Sequence, residues 1–332
     1  MDDMVRQNLL QVKKMFGITK DRVMPIHNSL QIWYEGQEKA ELQLDINVWR
    51  LKSIWERKIY LDFGIKILNP DKVKRVFVYF PFGVNKANIM DLGKELENTS
   101  LLNGIFNENY TIQTHTKNII VKDDMGNAFF SIYELDIEKD ITLERSFSGT
   151  VMSFEVKESP NPKYYRFRIK AENYGTLFEK YKPKNSFFDS AFIETEMIDF
   201  RINEKRNQHA GLMEMIEENQ KFIIKDINFF VMSPIQDEIE SDGVNLVYKR
   251  QLEMGNFWRR YLECGYKRMS VYKCKTAIGR ARIDDFNCFC KINYRKSNLW
   301  TIALYLVVLC FLSVSFNCLS NILWLFLSNI IK

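Results

Sequence analysis

Residues 297–331 read SNLWTIALYLVVLCFLSVSFNCLSNILWLFLSNII and contain no charged side chain. A helix needs about 20 mostly apolar residues to cross the ~30 Å hydrocarbon core of a bilayer. The stretch exceeds that length, so we predict a transmembrane segment over residues 297–332 that lies in the lipid bilayer. Its length allows two arrangements: one tilted helix, or a helix that breaks near Asn317–Asn321 and continues as a re-entrant piece.

The charge of the chain is concentrated next to this segment. Residues 249–296 carry 13 lysines and arginines against four acidic residues, although the whole chain has a net charge of only +5. Cationic residues beside a span are retained on the cytoplasmic side of a membrane. The N-terminus begins with two acids and has no continuous apolar run, unlike a signal peptide. We therefore expect the part before the span to be cytoplasmic.

The composition before the span favours strands. The chain has 25 Phe and 15 Tyr but only 14 Gly and 7 Pro, and aromatic side chains suit a half-buried pleated surface. The spacing predicts a packing helix within residues 1–17 and a β-hairpin formed by residues 58–68 and 74–82. Further short runs also read as strands. They are YTIQTHT, KNIIVKD, AFFSIYELD, ITLERSFSG, TVMSFEV, KYYRFRIK, AFIETEMIDFRIN and KFIIKDINFFVM. The predicted fold is α+β, with a strand-rich domain over residues 18–235 built as an antiparallel sandwich or barrel-like sheet.

Residues 236–296 are predicted to be an acidic linker followed by a basic, aromatic, helical neck. Rings and cations alternate along it, for example at Trp258, Arg259, Tyr272 and Lys273. Such a mixture is found in single-strand nucleic-acid binders, but anionic headgroups select the same residues beside a span. The position of the neck favours the membrane surface.

The sequence lacks the usual signatures of catalysis. Its glycines form neither GxGxxG nor GxxxxGK[ST], no GxSxG is present, and no histidine lies in an HExxH motif. All six cysteines fall in the last 70 residues, and Cys264, Cys274, Cys288 and Cys290 lack the paired Cys-x2-Cys spacing of a zinc site. We therefore predict a protein that is not an enzyme, with no cofactor and no metal site.

Two strands carry rows of cations. In the run YRFRIK the period of two places Arg166, Arg168 and Lys170 on one face, and the same alternation aligns Arg201 with Lys205. Adjacent cations with aromatic neighbours can bind phosphates, as nucleotide and nucleic-acid ligands require. We predict anion binding at these five residues. The alternative is that they pair with acids on neighbouring strands.

The predicted span has a polar stripe. At 100° per residue, most of its small polar side chains fall within an arc of about 100°, with Thr301, Ser315 and Asn329 outside it. The residues within the arc are Cys310, Ser313, Asn317, Ser320, Asn321 and Ser328. A polar stripe in hydrocarbon is costly unless it meets another helix or water, so it predicts a homo-oligomer interface or a pore wall. An inert anchor, in which the serines bond back to their own helix, is the alternative.

This layout resembles that of bacterial antiphage membrane effectors, and most closely the transmembrane effector of the two-gene Hailong system. The resemblance rests on the strand-rich body, the cationic YRFRIK strand, the basic neck and the polar-striped span at 299–328. It implies a location in the bacterial inner membrane and a cytoplasmic sensor for an oligonucleotide or cyclic nucleotide. It also implies a partner nucleotidyltransferase that makes this ligand, and channel activity that the ligand controls.

Two functions follow as hypotheses. The first is a ligand-controlled oligomeric effector that permeabilises the inner membrane in antiphage defence, with a ligand that either opens or closes the assembly. The alternative is a tail-anchored, non-enzymatic scaffold or adaptor that docks a protein complex at the membrane.

Overall fold

The computed structural model describes most of the chain with side chains. The described ranges are 29–52, 57–181, 193–206, 208–240, 246–253, 255–263, 268–275, 282–295 and 299–330. The predicted helix within residues 1–17 lies outside them.

The strands dominate the described residues. In chain order they are β1 (Gln31–Gly36), β2 (Glu41–Lys52), β3 (Arg57–Ile67), β4 (Val73–Phe80), β5 (Ile89–Asp91), β6 (Thr111–His115), β7 (Asn118–Lys122), β8 (Ala128–Tyr133), β9 (Ile141–Ser146), β10 (Gly149–Glu155), β11 (Lys163–Ile169), β12 (Phe178–Tyr181), β13 (Ile193–Ile202), β14 (Ile223–Pro234), β15 (Glu238–Glu240), β16 (Leu246–Gln251), β17 (Met269–Lys275) and β18 (Phe286–Arg295).

Four α-helices accompany these strands in the described part of the chain. They are α1 (Thr99–Phe106), α2 (Ala210–Glu217), α3 (Asn256–Leu262) and α4 (Leu299–Ile330). Single turns of 3-10 helix lie at Pro70–Lys72, Lys86–Asn88, Lys94–Glu97 and Gly175–Leu177.

The strands form three sheets. The largest has the order β16-β17-β14-β2-β3-β11-β8-β7-β6, with β5 paired to β11. The two smaller sheets have the orders β1-β4-β10-β9 and β12-β13-β18-β15. The α+β prediction therefore agrees with the structure, but the barrel-like alternative does not, because β16 and β6 remain as separate edges of the large sheet among the described residues.

The large sheet is mixed, not wholly antiparallel as predicted. β14 runs parallel to β2, and β11 runs parallel to β8 over a short register. Parallel neighbours cannot be joined by a tight turn, since the chain must cross over to start the second strand in the same direction. Most of the chain lies between β2 and β14, so their pairing brings distant sequence segments together.

Two apolar cores lie on opposite faces of the large sheet. The first core is shared by all three sheets and contains, for example, Phe63 of β3, Phe80 of β4 and Phe200 of β13. The second lies beneath α1 and α3, where Trp49 of β2 meets Trp258 at a ring distance of 5.3 Å. Helices thus cover part of the second face of the large sheet and leave the rest open.

The predicted hairpin of residues 58–68 and 74–82 is wrong, although both strands exist. β3 pairs with β2 and β11 in the large sheet, whereas β4 pairs with β1 and β10 in a smaller sheet. The connecting turn at Pro70–Lys72 begins with a buried proline. Proline fixes its φ and has no N–H to donate, and here the chain passes from one sheet to the other instead of folding back on itself.

The predicted helical neck is also wrong. Residues 246–295 supply β16, β17 and β18, and α3 is only seven residues long. β17 pairs with β14 over seven residues, and β18 pairs with β13 over ten. Most of the described residues of this segment are therefore strands of the sheets, with α3 between β16 and β17.

The final helix matches the prediction of an apolar segment long enough to span a membrane. α4 is 32 residues long and continues unbroken through Asn317 and Asn321. Its stretch Tyr305–Trp324 has a mean hydropathy of 2.1 and is not buried against the rest of the protein. The structure therefore contains the single-helix arrangement, without a re-entrant break.

Candidate functional site

The open part of the large sheet brings together polar side chains from distant strands. Asp45 of β2 lies opposite Asn228 of β14, and Asn47 lies opposite Phe230. Phe230 in turn lies opposite Lys273 of β17. Because strand side chains alternate between faces, residues two apart share a face and these pairs form adjacent rows on it. We call this region the sheet-face groove; it is bounded by α1 and α3 and has a volume of about 600 Å³.

The floor of the sheet-face groove is polar and internally bonded. Asn228 donates a hydrogen bond to Asp45 at 2.9 Å. Burial raises the pKa of the Asp45 carboxyl, and the Asn228 hydrogen bond and the charge of Arg166 oppose that rise. With the Asn47 amide oriented so that both of its atoms are satisfied, its oxygen accepts a hydrogen bond from Arg166 at 2.8 Å. The floor thus offers amide and carboxylate groups above a buried positive charge.

Rings and cations line the rim of the sheet-face groove. The Lys273 ammonium lies 5.2 Å from the centroid of the Phe230 ring and 5.9 Å from that of Tyr248. Arg250 also borders the groove and pairs with Glu253 at 3.0 Å. Tyr248 is 37% exposed, so its ring is available to solvent. Exposed rings beside cations can stack a planar base while the cations neutralise a phosphate.

The predicted anion-binding strand has a different role. Arg166 and Arg168 do lie on the face of β11 opposite to Tyr165, Phe167 and Ile169, but both guanidiniums are fully buried. They are packed under α3, so they form no exposed anion-binding surface. The prediction failed because alternation identifies the face of a strand but not what covers that face.

Asp62 is the counterion in this buried network. Arg168 of β11 lies directly opposite Asp62 of β3 and donates to its two carboxylate oxygens at 2.6 and 2.9 Å. Tyr261 and Trp49 each donate to Asp62 at 2.7 Å. Burial raises the pKa of Asp62, but the charge and hydrogen bonds of Arg168 outweigh it and hold that pKa below its ordinary value. Asp62 is therefore ionised and neutralises Arg168.

The other predicted anion-binding residues lie elsewhere. Lys170 pairs with Glu263, and Arg201 pairs with Asp199 at 2.7 Å and with Glu204 at 3.0 Å. Lys205 is exposed beyond the end of β13. Lys170 and Arg201 thus pair with acids, which is the alternative that the sequence left open. The five predicted residues do not converge on one site.

A second cleft, of about 670 Å³, is lined by residues of β2, β3, β12 and β13. Its central cation, Arg50, is buried and contacts Glu196 at 2.6 Å and Asp237 at 3.0 Å. Arg50 also donates to Ser233 at 2.7 Å. This guanidinium is therefore already paired with two carboxylates within the cleft.

The polar stripe of the span lies on a single exposed helix. Cys310, Ser313, Asn317, Ser320 and Asn321 are all exposed in α4, and Ser328 follows near its end. Ser315 lies outside the stripe and donates to the carbonyl of Phe311 at 2.8 Å, one turn earlier. Bonding back of this kind satisfies a serine inside hydrocarbon. The assignment of the stripe to an oligomer interface or pore remains a prediction.

Sequence reasoning missed the sheet-face groove because its residues come from four strands whose pairing it did not know. Asn228 and Phe230 do alternate within the run KDINFFVM, which was recognised as a strand. Lys273 and Tyr248 were assigned to the neck. The parallel pairing of β14 with β2 is what places Asn228 beside Asp45.

Comparison with known proteins adds no family to this description. No protein-family model matches the chain, and no curated protein matches it. The fold defines only a broad class, a strand-rich protein whose described residues include one helix long and apolar enough to span a membrane.

Proposed function

We propose that this protein is a ligand-controlled membrane effector. The helix α4 inserts in a bilayer and associates with other copies through its polar stripe, and the strand-rich domain binds a nucleotide or nucleic-acid signal. The observation that carries the proposal is the 32-residue apolar helix, which begins shortly after the end of β18 and is exposed over Tyr305–Trp324. An exposed apolar surface of this length is stable in lipid and not in water.

The sheet-face groove is the proposed signal site. A base would stack on Phe230 or Tyr248, while Asn228 and Asp45 meet its polar edge. Lys273 and Arg250 would neutralise the phosphates, and the charge of buried Arg166 supports anion binding from below the floor. This combination suits a single-stranded oligonucleotide or a cyclic nucleotide, since both present a planar base next to a phosphate.

The cellular setting of the proposal comes from the resemblance to antiphage effectors. It places the protein in a bacterial inner membrane, with its strand-rich domain in the cytoplasm and a nucleotidyltransferase as the source of its ligand. Permeabilising the membrane of an infected cell would then be the protective outcome. The chain itself performs no catalysis in this proposal.

The first test is leakage. Bacteria expressing the full chain are compared with bacteria expressing a version stopped at Lys296, using a membrane-impermeant dye and a potassium-selective electrode. We expect leakage from the full chain only, in uninfected cells or after phage infection. Retention of dye and potassium in both conditions, with the full chain in the membrane fraction, would favour the anchored scaffold instead.

The second test is ligand binding by the purified full chain in detergent. The probes are a short single-stranded DNA oligonucleotide and a cyclic dinucleotide. Removing a stacking ring costs about 1–3 kcal/mol, so Phe230→Ala should weaken binding by a factor of roughly 5 to 150. Phe129→Ala is the matched control, because Phe129 is an exposed ring on β8, away from the groove. Equal binding by both variants would exclude the groove as the signal site.

A further inference from the structure

Three thiols meet between the large sheet and the sheet that leads to the membrane helix. Cys274 lies on β17, and Cys288 and Cys290 lie on β18. Their sulfur atoms are all within 4.8 Å of one another, and those of Cys288 and Cys290 are 3.6 Å apart. All three side chains are at most 2% exposed. No disulfide is formed by the cysteines in the part of the chain that the structure describes.

Strand geometry explains this cluster. Cys288 and Cys290 are two residues apart on β18, so both point to the same side of the strand. β18 pairs with β13, whereas Cys274 pairs with Phe229 of β14 in the large sheet. The two sheets face each other across the shared core, which contains all three cysteines. The thiols therefore come from two packed layers, a relation that sequence spacing does not reveal.

We propose that Cys274, Cys288 and Cys290 bind one soft, thiophilic metal ion, Cu(I) or Zn(II), through three sulfur ligands. This replaces the prediction that the chain has no metal site, which rested on the absence of Cys-x2-Cys pairs and of an HExxH motif.

The sulfur geometry fits this assignment. Thiolate–metal bonds of about 2.3 Å arranged around one ion separate the sulfur atoms by about 4 Å. The distances in the cluster, 3.6 Å for one pair and no more than 4.8 Å for the others, are compatible with that value. Binding would need only small side-chain movements. Three sulfur donors without an oxygen or imidazole select soft ions over magnesium, calcium or manganese.

Ion binding at this cluster is a substitution of protons by metal. Each thiol loses its proton to solvent as a sulfur–metal bond forms, so three bonds form and three protons are released. A buried thiolate without a counterion is costly, and the positive charge of the metal offsets that cost.

Cu(I) and Zn(II) differ in the number of ligands they take. Zn(II) sites in proteins have four ligands in a tetrahedral arrangement. The described residues bring three sulfur atoms together, so zinc would need one more donor, whereas Cu(I) is satisfied by three thiolates. The experiment separates the two ions by measuring which one the folded chain retains.

The test uses the full chain purified in detergent with a non-thiol reductant. Metal content is measured by inductively coupled plasma mass spectrometry, directly after purification and after reconstitution with Cu(I) or Zn(II) followed by desalting. We expect one ion per chain, an ultraviolet sulfur-to-metal charge-transfer band and a higher melting temperature in the loaded protein. Folded wild-type chain that retains neither ion after reconstitution would overturn the proposal.

Variants locate the bound ion. Cys288→Ser combined with Cys290→Ser should abolish retention of the metal. Cys310→Ser combined with Cys318→Ser removes two thiols from the membrane helix and should leave the metal content unchanged. If the core variant does not fold, wild-type chain is labelled with a thiol reagent in denaturant, with and without prior loading. Metal retained by a folded core variant, or lost from the helix variant, would overturn the assignment.

Discussion

At the scale of single residues, the Asp62–Arg168 pair is a fully buried ion pair joined by two hydrogen bonds. Asp62 accepts hydrogen bonds from three side chains and is fully buried, as is Arg168. Such a pair adds little stability compared with two apolar residues, because both ions have lost their hydration. Removing only one partner is different, since it leaves the other charge uncompensated in the core.

Asp62→Asn is therefore expected to destabilise the protein by about 3–5 kcal/mol. Glu155→Gln is the matched control: Glu155 also lies opposite an arginine, Arg75, on a neighbouring strand, but that pair is on the surface. Surface pairs contribute about 0–1 kcal/mol. Urea unfolding of both full-length variants, followed by tryptophan fluorescence, measures the difference. Equal midpoints for the two variants would mean that Arg168 finds another counterion.

Asp91 gives a prediction for pH. Burial raises its pKa from 3.8 to about 7, although Leu135 N–H donates to it at 3.1 Å. A carboxyl with a raised pKa in the folded state stabilises the fold below its unfolded pKa, and that contribution disappears as the pH rises through the folded pKa. The free energy of unfolding should therefore fall between about pH 4 and pH 7.

Asp91→Asn should flatten this decrease, because an amide does not titrate. The measurement is the urea midpoint of wild type and variant at several values of pH across the window. The ionisation of Asp62 affects the free energy of unfolding at more acidic pH, because its pKa is lowered, so it does not overlap this window. Parallel curves for the two proteins would show that Asp91 is ionised throughout.

At the scale of elements, sequence predicted best where the pattern is local. The alternating runs that became β6 to β11, β13 and β14 were recognised from their periodicity, and α4 from its length and lack of charge. The segment 245–296 was misjudged because the same rings and cations are found beside membranes and inside mixed sheets. The pairing partners of the strands could not be predicted. The turn at Pro70 separates β3 from β4, but the local sequence does not indicate that the two strands belong to different sheets.

The polar stripe of α4 carries the prediction at this scale. Asn317→Leu combined with Asn321→Leu should reduce leakage to the level of the chain stopped at Lys296, because an apolar helix has no polar face to line a pore or hold a neighbour. Insertion should persist, since leucine is more favourable than asparagine in hydrocarbon. Ser315→Leu, on the other side of the helix, should leave leakage unchanged. Leakage from the double variant equal to wild type would exclude the stripe as a pore wall.

At the scale of the whole molecule, the sheet-face groove and the membrane helix belong to different layers. The groove lies on β2, β14 and β17 of the large sheet, whereas β18, which precedes α4, lies in a smaller one. The two layers touch through the shared apolar core, at Cys274 and Cys288 among other residues. Ligand control therefore requires that binding at one layer shifts the packing of the other. Sequence could not predict this arrangement, because it depends on the parallel crossover between β2 and β14.

Signal and pore should consequently be separable by mutation. Vesicles that contain the Phe230→Ala, Lys273→Glu variant should still release dye. The amount released should be the same with and without the single-stranded DNA oligonucleotide. Asn317→Leu combined with Asn321→Leu should keep wild-type oligonucleotide affinity and lose leakage. Both properties are measured on the full chain reconstituted in vesicles that contain a fluorescent dye.

Two outcomes would contradict this separation. If the groove variant responds to the oligonucleotide as wild type does, the signal binds elsewhere. If the helix variant loses oligonucleotide binding, the two functions share one site. Only the crossed result, each variant losing one property and retaining the other, fits a sensor sheet coupled through the core to a separate membrane helix.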